Sequence, residues 1–396
     1  MTEQGNSILV LNSGSSSLKF GLFRPGPGGE ELLLHGSAEG IGRQSGSLCI
    51  LDAEGNAVLE QEHRLESQAE ALTTLAAALG NHSYSPLAAV GHRIVHGGPH
   101  LREHQRITPE VLETLSASVH FAPLHIPLAL ELVKQAQQIF PVPHFACFDT
   151  TFHRTLPEVA CHLPLPSRYF EQGVMRYGFH GLSCESVLHQ MGVGLPSKVI
   201  VAHLGNGASV SAIRDGRSVD TSMGLTPTGG IPMGTRSGDL DPGVLLYLMR
   251  TECLDADGLE KLLNHECGLA GLSGGESDMQ ELLQRCDAGD HAAQLAVDAF
   301  CTGVRKMIGA YVALLEGIDL LIFTGGIGQH SGTVRDRIRQ GLQCVGLGPS
   351  VGEDSKMVVL PSEEEVQIAR HTRAMLGSSN ALSTAAAASK ADLQMV

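Results

Sequence analysis

Two segments in different halves of the chain share one order of apolar and small residues. ILVLNSGSSSLKFGL begins at Ile8 and VIVAHLGNGASVSAI begins at Val199, and their alignment places Gly14 on Gly205. Each reads as an apolar strand, a glycine-containing turn and a second strand, which is a common pattern by itself. Two halves with this shared segment predict a duplicated domain, in which each half offers backbone N–H groups to one end of a shared phosphate chain.

The size and composition of the chain indicate two globular domains with many ligand-binding loops. Its 396 residues are too many for one core at roughly 150 residues per domain. The residues are 42% hydrophobic and 17% charged, and the 47 glycines provide many positions for tight turns or close approach to a ligand. The net charge of −15, without a basic cluster interleaved with aromatics, argues against a nucleic-acid partner. An acidic protein that binds an anion must concentrate its cations locally.

Cysteine usage and the N-terminal sequence bear on the compartment. The nine cysteines contain no CxxC pair, which favours free thiols in a reducing environment. MTEQGNS lacks the basic and apolar regions of a signal peptide, and no apolar run approaches the roughly 18 residues of a membrane span. We therefore expect a cytoplasmic protein without a membrane partner.

Hydrophobic periodicity predicts strands first and then an alternation of helices and strands. Strands are predicted at 8–11, 18–23, 31–35, 48–51, 89–95, 144–148, 199–202, 320–323 and 357–360. Helices are predicted at 67–79, 109–115, 127–139, 183–191, 243–249, 256–263, 278–284, 291–315, 332–343 and 363–375, with a long loop at 220–241. This order is typical of an α/β fold.

Glycine-rich turns follow three of the predicted strands: NSGSSS, HLGNGAS and TGGIGQH. The chain contains neither GxxxxGK[ST] nor GxGxxG, so the P-loop and the dinucleotide-binding fingerprint are excluded. Separate turns suit a nucleotide that is held between two domains instead of on one helix N-terminus. Each turn alone is also compatible with an ordinary loop.

A series of segments in one order resembles the acetate kinase family. They are NSGSSSLK, GHRIVHGG, FAPLHIP, CFDTTFH, RYGFHG, VAHLGNGASV, MGTRSGDLDPG, FTGGIG and PSEEEVQIAR, from about Ile8 to about Arg373. The resemblance implies an α/β protein of two duplicated ribonuclease H-like (actin-like ATPase) domains with a cleft between them. It implies a domain at 1–150, joined by a C-terminal helix at about 366–380, and a domain at 151–365 with nucleotide-binding and dimerisation elements.

The resemblance also implies the reaction. Members of this family transfer the ATP γ-phosphate to acetate reversibly and in line, with Mg²⁺ or Mn²⁺, giving acetyl phosphate and ADP, and they form homodimers through the second domain. Propionate kinase activity, or another phosphoryl donor, is the alternative. The small residues after the first strand then allow phosphate oxygens to reach the backbone and hydroxyl groups.

The resemblance implies a metal and phosphate site in the first domain. Asn12 and Glu364 match the residues associated with magnesium, and their oxygens are ligands that Mg²⁺ prefers. Ser15, Ser17 and Lys19 match the phosphate side, where lysine acts as a point cation. The alternative is a serine-rich hairpin with a surface lysine.

The resemblance assigns the transferred group to two arginines and a histidine. Arg93 and Arg236 match the pair that brackets the carboxylate and the phosphoryl group, and small neighbours leave room for each guanidinium. A single arginine is more often part of a structural ion pair. His180 matches the residue that hydrogen-bonds the phosphoryl group in flight, with His125 and His203 as companions.

Asp149 matches the catalytic aspartate of the family, which is often described as an acid or a base. A small carboxylic acid with a pKa of roughly 4 is already ionised near neutral pH, so no proton has to be removed. We therefore interpret Asp149 as the residue that orients Arg93 or a magnesium-bound water.

An apolar acetate pocket is implied by four further matches: Val95, Leu124, Phe179 and Pro227. One methylene changes the transition-state free energy by only about 1 to 3 kcal/mol, so acetate should be preferred and propionate tolerated.

The nucleotide side departs from the family. The implied ligands are His203, Leu204, Gly205, Asn206, Gly207, Asp278, Met279, Gln280, Gly326, Ile327, Gly328, Gln329 and His330. An aromatic residue and an arginine are replaced by Met279 and Gln280, and Gln329 and His330 replace a usual Glu-Asn. TPTGGIP also lacks the glutamate expected after Thr-Pro. Nucleotide choice is therefore left open.

Two other functions are compatible with parts of the sequence. His92, His96 and His100 could form a metallohydrolase site, but a spacing of four residues brings ligands together on a helix and this segment reads as a strand. A nucleotide-binding relative without turnover would also explain Met279 and Gln280.

Overall fold

The computed structural model describes residues 6–14, 17–81, 86–347 and 356–393. The chain forms two compact units, which are Met1–Thr151 with Glu363–Val396 and Phe152–Ser362. We call them the first unit and the second unit. Among the described residues, the helices do not combine the length and apolarity that a bilayer span requires.

The first unit contains one eight-stranded sheet. Its strands are β1 Ser7–Ser13, β2 Ser17–Gly26, β3 Gly29–Glu39, β4 Ser47–Asp52, β5 Ala57–Glu62, β6 Leu87–Ile94, β7 Gln105–Arg106 and β8 His144–Phe148. Their order across the sheet is β5-β4-β3-β2-β1-β6-β8-β7, in which β1, β6 and β8 are parallel and β1 and β2 form an antiparallel hairpin.

Helices α1 Gln68–Asn81, α2 Pro109–Ala117 and α3 Ile126–Ile139 pack against this sheet. The apolar side chains of α1 and α3, including Leu72, Leu75 and Leu132, form one core with Leu9 and Leu11. Those of α2 belong to a second core with Ile94 and Phe148. Burial of each such side chain contributes about 1.5 to 3 kcal/mol. Because helices cover the central strands, β1 can be apolar along its length, as the sequence predicted.

The second unit contains a five-stranded sheet. Its strands are β9 Lys198–Leu204, β10 Ala208–Arg214, β11 Arg217–Thr221, β12 Leu320–Thr324 and β13 Met357–Val359, in the order β11-β10-β9-β12-β13. The helices are α4 Glu158–Cys161, α5 Ser167–Glu171, α6 Gly181–Met191, α7 Pro242–Thr251, α8 Ala256–His265, α9 Gly268–Ser273, α10 Met279–Asp287, α11 His291–Leu315, α12 Gly325–His330 and α13 Gly332–Arg339.

The two sheets repeat one topology, which confirms the predicted duplication. The order β3-β2-β1-β6-β8 in the first unit recurs as β11-β10-β9-β12-β13 in the second unit. Equivalent hydrogen bonds close the two central hairpins. Gly14 N–H donates to the carbonyl of Ser17 at 2.9 Å, and Gly205 N–H donates to that of Gly207 at 3.0 Å. The protein therefore has the duplicated ribonuclease H-like α/β fold that the resemblance implied.

The last helix, α14 Glu364–Leu393, belongs to the first unit. Ile368 and Thr372 are fully buried against the sheet, close to Gly91 of β6. Arg373 Nη2 donates to Glu30 Oε2 at 2.8 Å, and this glutamate is almost fully buried. Buried side chains and a partly buried ion pair thus hold the helix on the sheet.

Several elements differ from the sequence prediction, among them β7, β11, α4, α5 and α9, which were not predicted. TGGIGQH was predicted as a turn but forms α12, because a Cβ at Gly325 would meet the carbonyl oxygen of Leu204 at 2.6 Å and only glycine permits this close packing. The strand β5 was missed because its side chains are largely exposed and polar. Helix α14 runs well past the predicted end at residue 375.

Candidate active site

The first unit groups four polar residues at the carboxyl ends of its parallel strands. Asn12 lies near the end of β1, Arg93 near the end of β6, and Asp149 directly after β8. Glu364 is the first residue of α14. In α/β sheets this edge is where ligands bind, so the fold itself brings together residues far apart in the sequence.

Arg93 is the centre of this group. Its Nε donates to Asp149 Oδ1 at 3.0 Å, and its Nη2 donates to Asp149 Oδ2 at 2.6 Å. Its Nη1 donates to Asn12 Oδ1 at 3.1 Å, and Glu364 Oε2 lies 3.8 Å from its Nε. A two-bond carboxylate contact fixes the plane of a guanidinium. Asp149 therefore makes the contact with Arg93 that the orienting hypothesis requires.

The charges of the group are strongly coupled. Burial disfavours the charge of Arg93, but the carboxylates of Asp149 and Glu364 more than offset burial and raise the pKa of the guanidinium. Burial raises the pKa of Glu364, an effect that Arg93 opposes and Glu365 increases. Burial is therefore the main reason that the ionised form of Glu364 is disfavoured.

Glu365 is a member of the group that sequence reasoning missed. Its Oε1 accepts a hydrogen bond from Asn12 Nδ2 at 2.9 Å. PSEEEV contains three successive glutamates, and the sequence does not show which of them face the sheet. The sequence indicated only that more than one of these glutamates would lie in the first turn of α14.

The oxygen atoms of Asn12, Glu364 and Glu365 fit a hard divalent cation. They are an amide oxygen and two carboxylates, which is the donor set that Mg²⁺ takes together with water. Burial, with a smaller effect of the neighbouring Glu365, raises the pKa of Glu364, and a bound cation would favour its ionised form.

The β1–β2 hairpin brings Lys19 to the same group. Lys19 is directly opposite Asn12 in the antiparallel register, and such partners have Cβ atoms about 4.5 to 5.5 Å apart. Its charge also stabilises ionised Glu364. Ser17 is half-buried at the start of β2, whereas Ser15 lies outside the described residues.

The predicted acetate residues are divided between the units. Val95 is half-buried just after β6, Leu124 is 38% exposed, and His125 directly precedes α3 in the first unit. Phe179, which is buried, and Pro227 belong to the second unit. Their common pocket stays a prediction.

In the second unit, His180 and His203 form a stacked pair. Their ring centroids are 4.2 Å apart with an interplanar angle of 21°. His180 Nδ1 is 3.0 Å from Ser209 Oγ, and His203 Nδ1 is 2.8 Å from Ser183 Oγ. The serine hydroxyl groups fix both rings through Nδ1, and the two Nε2 atoms lie beside the β9–β10 turn, near Gly205 and Gly207.

Arg236 and His180 converge beside Gly207. A Cβ on Gly207 would lie 3.3 Å from His180 Nε2 and 3.4 Å from Arg236 Nη1. An imidazole and a guanidinium therefore approach one point over a backbone without a side chain. Two donors around a small space are what an anion such as a phosphoryl group requires.

The loop that carries Arg236 is held by backbone contacts. Arg236 Nη1 donates to the carbonyl of Pro227 at 3.2 Å. Met233 N–H donates to the carbonyl of Arg236 at 3.1 Å, and Leu269 N–H donates to the carbonyl of Met233 at 2.8 Å. Gly268 has a φ of 62°, and a Cβ there would collide with the Met233 carbonyl. The start of α9 thus fixes the arginine loop.

A cavity of about 820 Å³ lies in the second unit. Its size suits a nucleotide. Of the predicted nucleotide residues it is lined by Asn206, Asp278, Met279, Gln280, Gly326, Ile327 and His330. It is also lined by residues that the sequence analysis did not name, which lie just before or within α10 and at the start of α13: Ser277, Leu283, Ser331, Gly332 and Thr333.

Several of the predicted nucleotide residues have structural roles. Leu204 is fully buried in β9. The carbonyls of Gly328 and Gln329 each accept a hydrogen bond from Arg335 Nη1 at 2.8 Å. Gly205 closes the β9–β10 hairpin. Asp278 Oδ1 caps α10, because it accepts hydrogen bonds from the first backbone N–H groups of that helix.

The histidines of the hydrolase alternative do not form a metal site among the described residues. His92 Nε2 is 2.8 Å from His144 Nδ1 inside the first unit. His96 Nδ1 accepts a hydrogen bond from Gly98 N–H at 2.8 Å, and His100 is exposed.

The duplicated fold and these two polar groups define a phosphotransferase. The acetokinase family model matches residues 7–370. The chain therefore belongs to the acetokinase family, whose members are kinases that have a carboxyl group as acceptor.

Individual relatives agree with this assignment. The chain is 41% identical to an acetate kinase of Methylocella silvestris over 401 residues, which cover 93% of this chain and 98% of that protein. A propionate kinase structure from Francisella tularensis has a TM-score of 0.85 at 34% identity and covers 93% of this chain and all of the other. An acetate kinase structure from Porphyromonas gingivalis has a TM-score of 0.82 at 33% identity and covers 94% of this chain and all of the other.

Proposed function

We propose that the protein transfers the γ-phosphoryl group of ATP to acetate, reversibly, giving acetyl phosphate and ADP. The observation that carries this proposal is the convergence of His180 Nε2 and Arg236 Nη1 beside Gly207, in the unit that also contains the nucleotide-sized cavity. Phosphoryl transfer needs positioned positive charge around the moving group more than it needs covalent chemistry.

In the proposed reaction a carboxylate oxygen of acetate attacks the γ-phosphorus, and the bond from that phosphorus to the β–γ bridging oxygen breaks. The acid is already ionised, so no general base is required. Arg93 binds the carboxylate, and His180 and Arg236 donate hydrogen bonds to the phosphoryl oxygens as charge develops. Asp149 holds the Arg93 guanidinium in a fixed plane.

Asn12, Glu364 and Glu365 would hold Mg²⁺, with Mn²⁺ as the alternative ion. The cation supplies charge neutralisation for the phosphate oxygens when bound. Ser17 and Lys19 of the β1–β2 hairpin would contribute to phosphate binding.

Propionate is the second candidate acceptor. It is favoured by the likeness to the propionate kinase structure from Francisella tularensis and by the small energetic difference of one methylene. A donor other than ATP is the second open choice, because Met279, Gln280 and His330 line the cavity where the family carries other residues.

We also propose that the protein is a cytoplasmic homodimer. Free cysteines support a reducing compartment, since none of the nine is in a disulfide. Helix α7 and the residues before it expose Leu240, Val244, Leu246, Tyr247 and Met249, and a second copy would cover this apolar face. Light scattering of the protein and of Leu246→Asp tests this: loss of the dimer only in the variant supports it, and a monomeric wild type contradicts it.

The activity is tested by trapping acyl phosphate with hydroxylamine. Acetate, propionate and butyrate are each combined with ATP, GTP or pyrophosphate in the presence of Mg²⁺. We expect the largest hydroxamate signal with acetate and ATP, and its loss in Arg236→Ala. No signal with any pair would contradict the proposed function, whereas a larger signal with propionate or another donor would establish the alternative.

A further inference from the structure

We propose that His153 is a positioning residue for His180, because it holds the backbone that presents the His180 imidazole. The proposal rests on the phosphoryl-transfer function above. Both residues belong to the second unit, and His153 itself is 1% exposed, so it does not contact a ligand directly.

Both ring nitrogens of His153 are engaged. Nε2 is 3.0 Å from the carbonyl oxygen of Phe179, and Nδ1 is 2.8 Å from Ser218 Oγ. A carbonyl only accepts, so Nε2 carries the proton and Nδ1 accepts a hydrogen bond from the serine hydroxyl. Burial lowers the pKa of His153 to about 4, and the bond to the Phe179 carbonyl opposes this only in part. The ring is therefore neutral, with one tautomer selected.

The bond to Phe179 acts on a strained stretch of backbone. His180 follows directly and has φ 57° and ψ 27°, in the left-handed region that non-glycine residues rarely adopt. Such a conformation is unfavourable for a non-glycine residue and persists only when the surrounding structure imposes it. A carbonyl fixed one residue earlier is such a restraint.

The His153 ring also fills the space beside Gly178. This glycine has φ 73°, and a Cβ there would lie 2.7 Å from ring carbons of His153 and 2.5 Å from Thr221 Cγ2. The backbone of Gly178 is therefore in direct contact with the His153 ring, two residues before His180. One hydrogen bond and one packing contact from the same side chain set the path of the chain into α6.

The other side of His153 is anchored in the sheet. Ser218 belongs to β11, and Thr155 Oγ1 donates to the carbonyl of Ser218 at 2.9 Å. His153 thus connects a rigid strand to the loop that ends in His180. A misplacement of about 1 Å at a reacting group can cost on the order of 100-fold in rate, so such a connection matters for catalysis.

Two substitutions separate the two bonds. His153→Gln places an amide N–H near the position of Nε2 and can keep the hydrogen bond to the Phe179 carbonyl. The shorter side chain of His153→Asn can hydrogen-bond Ser218 but cannot reach that carbonyl. We expect His153→Asn to lower kcat by about 10- to 100-fold with KM for acetate within about twofold of wild type. His153→Gln should recover most of kcat.

His144→Gln is the matched control. His144 is a buried histidine of the first unit whose ring nitrogens also engage a side chain and a backbone carbonyl, and it is outside the proposed catalytic groups. The His144→Gln substitution should lower the melting temperature without lowering the kcat of the folded enzyme. If both His153 variants keep wild-type kcat, or lose kcat only in proportion to folded protein as His144→Gln does, the positioning role is wrong.

A crystal structure of His153→Asn tests the inference without activity. Departure of His180 from the left-handed region supports it, and an unchanged His180 overturns it. Absence of acyl phosphate with wild-type enzyme would refute the proposed function separately, because the backbone measurement does not depend on turnover.

Discussion

Gly207→Ala is a test of the convergence of His180 and Arg236. The new methyl group would lie 3.3 Å from His180 Nε2 and 3.4 Å from Arg236 Nη1, where an unstrained contact is about 3.5 to 4.0 Å. Both donors must move by a few tenths of an ångström, and the methyl enters the space of the transferred group. Removal of one positioned hydrogen-bond donor lowers kcat by about 100- to 1,000-fold, so a displacement of both donors that removes neither should lower kcat by about 10- to 100-fold.

The same change should not weaken the folded state. Gly207 is not among the described glycines with positive φ, and alanine at a compatible position usually stabilises by about 0.4 to 1 kcal/mol. Gly309→Ala in α11 is the control, because a Cβ there meets nothing within 4 Å and alanine favours a helix. The hydroxamate assay and thermal unfolding are measured for both variants. A Gly207→Ala enzyme with kcat within twofold of wild type would refute the convergence.

Three further outcomes follow from the structure. Asp149→Asn should lower kcat/KM for acetate by about 100-fold in the hydroxamate assay, because Arg93 loses its two-bond partner; full activity would contradict the orienting role. Gly268→Ala should lower both stability and kcat through the collision with the Met233 carbonyl, whereas Gly274→Ala, with φ 80° and open space, should lower stability alone; equal kcat in the two variants would exclude the α9 contact as a support of Arg236. The pKa of His153 is about 4 in the folded protein and 6.5 in the unfolded chain, so its contribution of about 3 kcal/mol to the free energy of unfolding is complete above pH 6.5 and is lost as the pH falls toward 4. Between pH 7 and pH 4.5, the free energy of unfolding measured in urea should therefore fall less in His153→Gln than in the wild-type protein. An equal fall in the two proteins would contradict this assignment.

The sequence predicted strand-end residues better than it predicted helix starts. Asn12, Arg93 and Asp149 each lie at or directly after a buried strand, and parallel strands bring such positions to one edge without further information. Glu365 was missed because the helical phase decides which of three adjacent glutamates faces Asn12. That phase depends on how α14 packs on the sheet, which involves residues far away in the chain.

Glycine residues in the sequence did not distinguish a turn from the start of a closely packed helix. In NSGSSS and HLGNGAS the glycines lie in hairpin turns, as predicted. In TGGIGQH the same residue type begins α12, where Gly325 permits close contact between the helix and the carbonyl of Leu204. Tight turns and close packing both require the absence of a side chain. Only the tertiary neighbours distinguish the two uses.

The two units fix their arginines in different ways, and this difference has an electrostatic consequence. The partners of Arg93 include charged carboxylates, whereas Arg236 Nη1 donates to a neutral backbone carbonyl. Among the described residues of the first unit around Arg93, the carboxylates of Asp149, Glu364 and Glu365 outnumber the cations Arg93 and Lys19, so this group has no net attraction for an anion. Acetate and phosphate binding in the first unit should therefore depend steeply on added Mg²⁺, because only further positive charge reverses the local excess of carboxylates. Titration calorimetry with acetate, with and without Mg²⁺, measures this dependence, and an unchanged affinity would contradict it.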